Sequence, residues 1–133
     1  MDQYAKQFVP ELLVVRVGQP VEFRNSENDP HNVNVNRLPT GTQVFNVSTA
    51  PYQKYVHTFT QPGQYAVACD IHPGMLATLV ATTTPHTAVV GDNGAFTFGD
   101  IAPGVYTLGW IVAGQSGEKT VNVTGGRTEV SVP

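Results

Sequence analysis

Three features of the chain predict an all-β fold. Val, Thr, Tyr and Phe recur in short runs, Gly, Pro, Asn and Asp bound those runs, and no stretch keeps the 3.6-residue period of an amphipathic helix. The composition agrees, with 13 Gly, 10 Pro and only 13% charged residues among 133. That length admits one ordinary domain or two small ones sharing a boundary.

Taken in order, "ELLVVRV" predicts a first strand and "PVEFRN" a second, joined at the Gly18-Gln19 turn. In the second, Val21 and Phe23 share one face while Glu22 and Arg24 share the other. A polar loop, "SENDP", follows. "HNVNVN" then alternates strictly, which places His31, Val33 and Val35 toward a core and the asparagines away from it. Further strands are predicted in "TQVFNV", "KYVHTFT", "QYAVAC" and "LATLVATT", with "QPGQ" as the tight turn before "QYAVAC". There the period of two puts Tyr65, Val67 and Cys69 on one side. After Thr84 the texture changes: "GDNGAFTFGD" carries an Asn-Gly hairpin signal, "APGVYTLGWIVAG" an alternating strand after a Pro-Gly turn, and "EKTVNVTGGRTEVSVP" a closing hairpin. The expected division is residues 1–83 and 84–133.

Charge and cysteine usage exclude several roles. The formal charge is -3 and scattered, which supports neither nucleic-acid nor anionic-membrane binding. One cysteine cannot form an internal disulfide. There is no signal peptide and no apolar run long enough to span a bilayer, and Met1 stands directly before the polar "DQYAKQF"; a mature domain lacking its leader is expected.

The chemistry concentrates in "CDIHPGM". Two imidazoles and a thiolate in a plane, with a weak axial thioether, describe a mononuclear copper site for electron transfer. His31, Cys69, His72 and Met75 supply that set, three from one loop and one from a distant strand. Pro73 and Gly74 favour a bend that returns Met75 beneath the site. Each residue alone is ordinary: a buried Cys, a strand His or a core Met is common. Their joint spacing is what points to a metal, and the thioether favours copper over zinc. His57, on the Tyr55 and Phe59 face of its strand, and His86 receive no metal.

From about Phe8 to Ala81 the chain resembles the cupredoxin family of type 1 blue copper proteins. "PELLVVRVGQPVEFRN", "PHNV", "FTQPGQYAVAC" and an amicyanin-like Cys-x-x-His-x-x-Met loop carry the resemblance. It implies a Greek-key β-sandwich holding one copper ion, Cu(I)/Cu(II), through His31 Nδ1, Cys69 Sγ and His72 Nδ1, with Met75 Sδ as the distant axial ligand. It also implies a transient redox partner protein and a periplasmic or extracellular location. Only "MDQYAKQ" stands where the family's first strand belongs, so that strand is expected to be short or missing, and an open sheet edge there would invite dimerisation. Ile71 stands where amicyanin has proline; its amide and that of Asn32 are expected to donate to the Cys69 sulfur and favour the reduced ion. Residues 86–132 resemble the carboxypeptidase regulatory-like domains, with a small transthyretin-type sandwich and Trp110 in its core.

The expected role is a one-electron carrier and not an enzyme. Two alternatives are copper handling, disfavoured by the presence of only Met1 and Met75, and an interaction module with a non-shuttling site.

Overall fold

A computed structural model describes all residues, Met1–Pro133. The chain forms two compact units, Met1–Val89 and Val90–Pro133. The strands of the first are β1 (Asp2–Tyr4), β2 (Gln7–Val9), β3 (Leu12–Arg16), β4 (Pro20–Asn25), β5 (His31–Arg37), β6 (Thr42–Thr49), β7 (Lys54–Thr58), β8 (Gly63–Ala68) and β9 (Leu76–Thr82). They make a four-stranded sheet, β2-β1-β4-β7, and a five-stranded sheet, β3-β9-β8-β5-β6.

Alternation assigns one face of each sheet to a shared core. Val21 and Phe23 from β4 meet Val33, Val35, Tyr65, Val67 and Leu79 from the five-stranded sheet, all nearly inaccessible. Phe8, Val15, Phe59, Cys69, Met75 and Ala81 complete it. The outward residues of β4 instead pair by charge: Glu22 accepts from Arg24 and from Lys54 of the neighbouring strand.

The segment before Phe8 forms a small hairpin. β1 pairs antiparallel with β2 and parallel with β4, turning through Ala5 and Lys6 at φ 53° and 56°. "ELLVVRV" is therefore the third strand and not the first. The edge of β4 is covered, and the outer strand β2 has only three residues, a short edge of the kind that discourages the pairing of copies.

The second unit contains β10 (Gly104–Val112) and β11 (Gln115–Val123), paired along their whole length as one antiparallel ribbon. The hairpin closes at Ala113 and Gly114, both left-handed at φ 50° and 78°. This differs from the sequence expectation. The Asn93-Gly94 turn does form, with Gly94 N donating to Gly91 O at 2.9 Å, but its flanks pair into no sheet, and the residues after Thr124 add no strand. Tyr106, Leu108 and Trp110 share a half-buried face, and no side chain of this unit is fully buried. Trp110 lies across the strand from Gly117, where its ring occupies the space a Cβ would need.

Candidate metal centre

Register explains how distant residues meet. β5 and β8 are antiparallel neighbours with Asn34 opposite Ala68 and Val35 opposite Val67. Continuing that register puts Val33 opposite Cys69, with His31 two residues further on the same inward face. Cys69 follows the last residue of β8, and Leu76 opens β9. The loop between them is closed by a bond from Cys69 N to Met75 O, 3.1 Å, and by one from Met75 N to His72 O, 3.4 Å. Gly74 has φ +82°, so Pro73 and Gly74 occupy the two central positions of a type II turn, as their identities favour.

His31, Cys69 and His72 converge, with one ligand atom of each within 4.8 Å of the others. Cys69 Sγ lies 3.8 Å from His31 Nδ1 and 3.7 Å from His72 Nδ1, and the two Nδ1 atoms are 3.0 Å apart. A trigonal first-row ion with arms of about 2.05 Å to nitrogen and about 2.3 Å to sulfur would set edges near 3.8 Å for N–S and about 3.6 Å for N–N. The observed sulfur edges match, and the imidazoles need to part by about half an ångström. This donor set therefore fits a single soft, imidazole-binding ion. His31 and Met75 are each only 1% exposed and Cys69 is 6% exposed. His72 is half-buried, and Ile71, Pro73, Gly74 and Leu76 surround it at the surface. Met75, in the same loop, is buried rather than exposed. His57 lies apart, its ring tilted against Phe45 at 4.6 Å and edge-on to Phe59 at 4.8 Å; burial lowers its pKa. His86 is exposed.

The surroundings contain groups that sequence reasoning missed. His31 Nε2 is 2.8 Å from Glu27 Oε2. That carboxyl stays below its usual range although burial pushes it up, because the Lys6 amide and the His31 ring stabilise its ionised form, with help from the Ala5 amide. Asp70 is gathered by asparagines. Its N–H donates to Asn32 Oδ1 at 2.6 Å, and its carboxylate accepts from Asn32, Asn34 and Asn46 at 2.9–3.2 Å. Bonds from Asn34, then Asn46, then Asn32 hold its pKa down. Asn32 thus ties β5 to the ligand loop through its side chain. The contacts of hydrogen-bond length at Cys69 Sγ are the two Nδ1 atoms, with neither the Asn32 nor the Ile71 amide among them. A buried polar chain runs alongside: Thr49 Oγ1 donates to Gln3 Oε1 at 2.7 Å, and Gln3 Nε2 donates to Asn32 O at 2.9 Å. Nothing in "MDQYAKQ" or "SENDP" distinguishes Gln3 or Glu27 from surface residues.

A two-sheet β-sandwich in which one buried cysteine sulfur and two imidazoles converge defines a mononuclear metalloprotein. The model of the family described as copper binding proteins, plastocyanin/azurin family, matches residues 1–83, and the chain belongs to that family. Plastocyanin from Ulva prolifera is 34% identical over 80 residues, covering 55% of this chain and 82% of the relative. The chloroplastic plastocyanin of Hordeum vulgare is 34% identical over 74 residues, where the chain spans about half of the relative, 48%. Among solved structures, a copper(I) form of an amicyanin mutant aligns at TM-score 0.54 and 27% identity, covering 61% of this chain and 78% of that one. The purple cupredoxin from Nitrosopumilus maritimus aligns at TM-score 0.52 and 25% identity, covering 59% and 84%. This is a family of electron-transfer proteins rather than enzymes, and its cofactor is one copper ion.

Proposed function

We propose that the chain is a type 1 copper protein carrying one electron at a time. His31 Nδ1, Cys69 Sγ and His72 Nδ1 form the equatorial set, and Met75 is the axial neighbour. The observation that carries this reading is the convergence of one sulfur and two Nδ1 atoms, with His31 and Cys69 buried and His72 half-buried. Bound copper would supply the Cu(I)/Cu(II) couple. The chain's own contribution is rigidity: His31 belongs to a core strand, Cys69 is tied to Met75 across the loop, and Asn32 clasps Asp70. Ligands held this way move little when the charge changes, which favours fast exchange of an electron.

His72 is the proposed exit. It is the half-buried member of the set, and Ile71 (52% exposed) and Leu76 (66% exposed) flank it as an apolar rim. Such a rim suits the small, brief interfaces of redox encounters. The proposed partner is a redox protein, and the proposed compartment is periplasmic or extracellular. Residues 1–83 constitute the copper domain, and residues 84–133 an appended β unit of carboxypeptidase regulatory-like type. Cyclic voltammetry of the copper-loaded protein tests the carrier role. A reversible one-electron wave with copper retained against a chelator is expected. Rapid loss of Cu(I) to the chelator without a reversible wave would assign the protein to copper handling.

A further inference from the structure

The N-terminal hairpin reaches the metal pole by a route that neither the fold nor the donor set requires. Its turn residues, Ala5 and Lys6, are not glycines, yet both sit in the left-handed region, a conformation L-residues adopt at a cost. There the Lys6 N–H donates to Glu27 Oε2 at 3.1 Å. The same oxygen lies 2.8 Å from His31 Nε2. The His31 side chain is 0% exposed and that of Glu27 17%. Other bonds fix both ends of the connection. Glu27 N donates to Asn25 Oδ1 at 2.9 Å, Ser26 N to Gln3 O at 3.1 Å and Ser26 Oγ to Asp2 Oδ2 at 2.8 Å.

A carboxylate has only acceptors, so the imidazole must present Nε2–H to it, which leaves Nδ1 with its lone pair free. We propose that Glu27 is a positioning residue of the metal centre: a single oxygen, held by the β1–β2 turn amide, fixes the tautomer and orientation of His31, so that Nδ1 is aimed at Cys69 Sγ and His72. The turn thereby becomes part of the site without touching the ion. The proposal rests on the reading of His31 as a copper ligand. An ionised partner on the outer nitrogen raises ligand basicity, and losing such a partner typically weakens metal binding about 10–100-fold.

The test uses the whole chain, metal-free and copper-loaded. In the metal-free protein, 15N NMR should find His31 as the single Nε2–H tautomer and the Lys6 amide slow to exchange. Glu27→Ala should mix the tautomers and speed Lys6 exchange at least about tenfold. In the loaded protein it should lower Cu(II) affinity by about 10–100-fold, and raise the reduction potential by about 59 mV for each tenfold by which Cu(II) is weakened more than Cu(I). Glu27→Gln, which keeps an acceptor but loses the charge, should fall between and serves if the alanine variant does not fold. Glu22→Gln, on the outer face of the four-stranded sheet, should leave all four readouts unchanged. A Glu27→Ala protein that only melts earlier, with wild-type tautomer, Lys6 exchange and potential, would overturn the proposal. Wild-type protein that refuses copper would defeat the copper reading instead, and the metal-free measurements would still decide the Glu27 contact.

Discussion

Gln3 and Thr49 form a buried pair whose coupling has a calculable sign. Gln3 is 0% exposed and Thr49 1%. Thr49 Oγ1 donates to Gln3 Oε1, and Gln3 Nε2 donates to Asn32 O. Gln3→Leu conserves volume but leaves the Thr49 hydroxyl and the Asn32 carbonyl without this partner; at about 1–3 kcal/mol for each stranded group, the cost is about 2–6 kcal/mol. Thr49→Val strands only Gln3 Oε1, about 1–3 kcal/mol. In the double variant only the Asn32 carbonyl is stranded, again about 1–3 kcal/mol. The double variant should therefore be more stable than Gln3→Leu alone, a restoration of about 1–3 kcal/mol, because removing both partners strands fewer groups than removing one. Urea unfolding of the metal-free protein, followed by NMR signals of the first unit, measures this. Additive losses would show that the pair contributes by packing alone and would refute the reasoning.

Four further outcomes follow from other parts of the structure. Met75→Ala empties a site 1% exposed and should cost about 2–5 kcal/mol in metal-free stability; a loss under about 1 kcal/mol would contradict its place in the core. His57 has a lowered pKa through burial, so the unfolded chain takes its proton first, and stability should fall as pH drops below about 6.5 and level off below the folded pKa. His57→Phe should flatten that acid-side loss in denaturation profiles between pH 5 and 7, and an unchanged slope would contradict the assignment. Gly117→Ala would put a Cβ 2.4 Å from the Trp110 ring; because Trp110 is the single tryptophan, displacement should red-shift the fluorescence, and an unshifted spectrum would refute the cross-strand contact. Gly74→Ala forces a left-handed φ of +82° on a residue with a Cβ, at about 1–2 kcal/mol, and should slow copper uptake measured by stopped-flow absorbance.

Legibility in the sequence follows periodicity. Strands with strict alternation, above all His31 to Asn36 and Gln64 to Cys69, can be read for both existence and facing, because one buried face imposes a period of two. That facing, together with the spacing of Cys69, His72 and Met75, makes the cluster recognisable from residue order alone. β1 and β2 have three residues each, too short to carry a period. Their role depends on Gln3 and on two turn amides, which leave no mark in composition. Glu27 and Asp70 sit in polar loops, where a carboxylate bound to an imidazole or to three asparagines looks like any solvated one. In the second unit the strongest turn signal, Asn93-Gly94, misleads. The ribbon closes at Ala113-Gly114, because the nine-residue alternation of β10 finds its register with β11 and the turn conformation is imposed by that pairing.

Whether Cys69 Sγ and the Nδ1 atoms of His31 and His72 hold one copper ion is tested most directly by adding stoichiometric Cu(II) to the metal-free protein and following visible absorption and EPR. An intense thiolate-to-copper band with narrow parallel hyperfine splitting is expected at one equivalent, abolished by Cys69→Ser. A colourless tetragonal copper signal, or a band that survives Cys69→Ser, would contradict a copper–thiolate centre at this site.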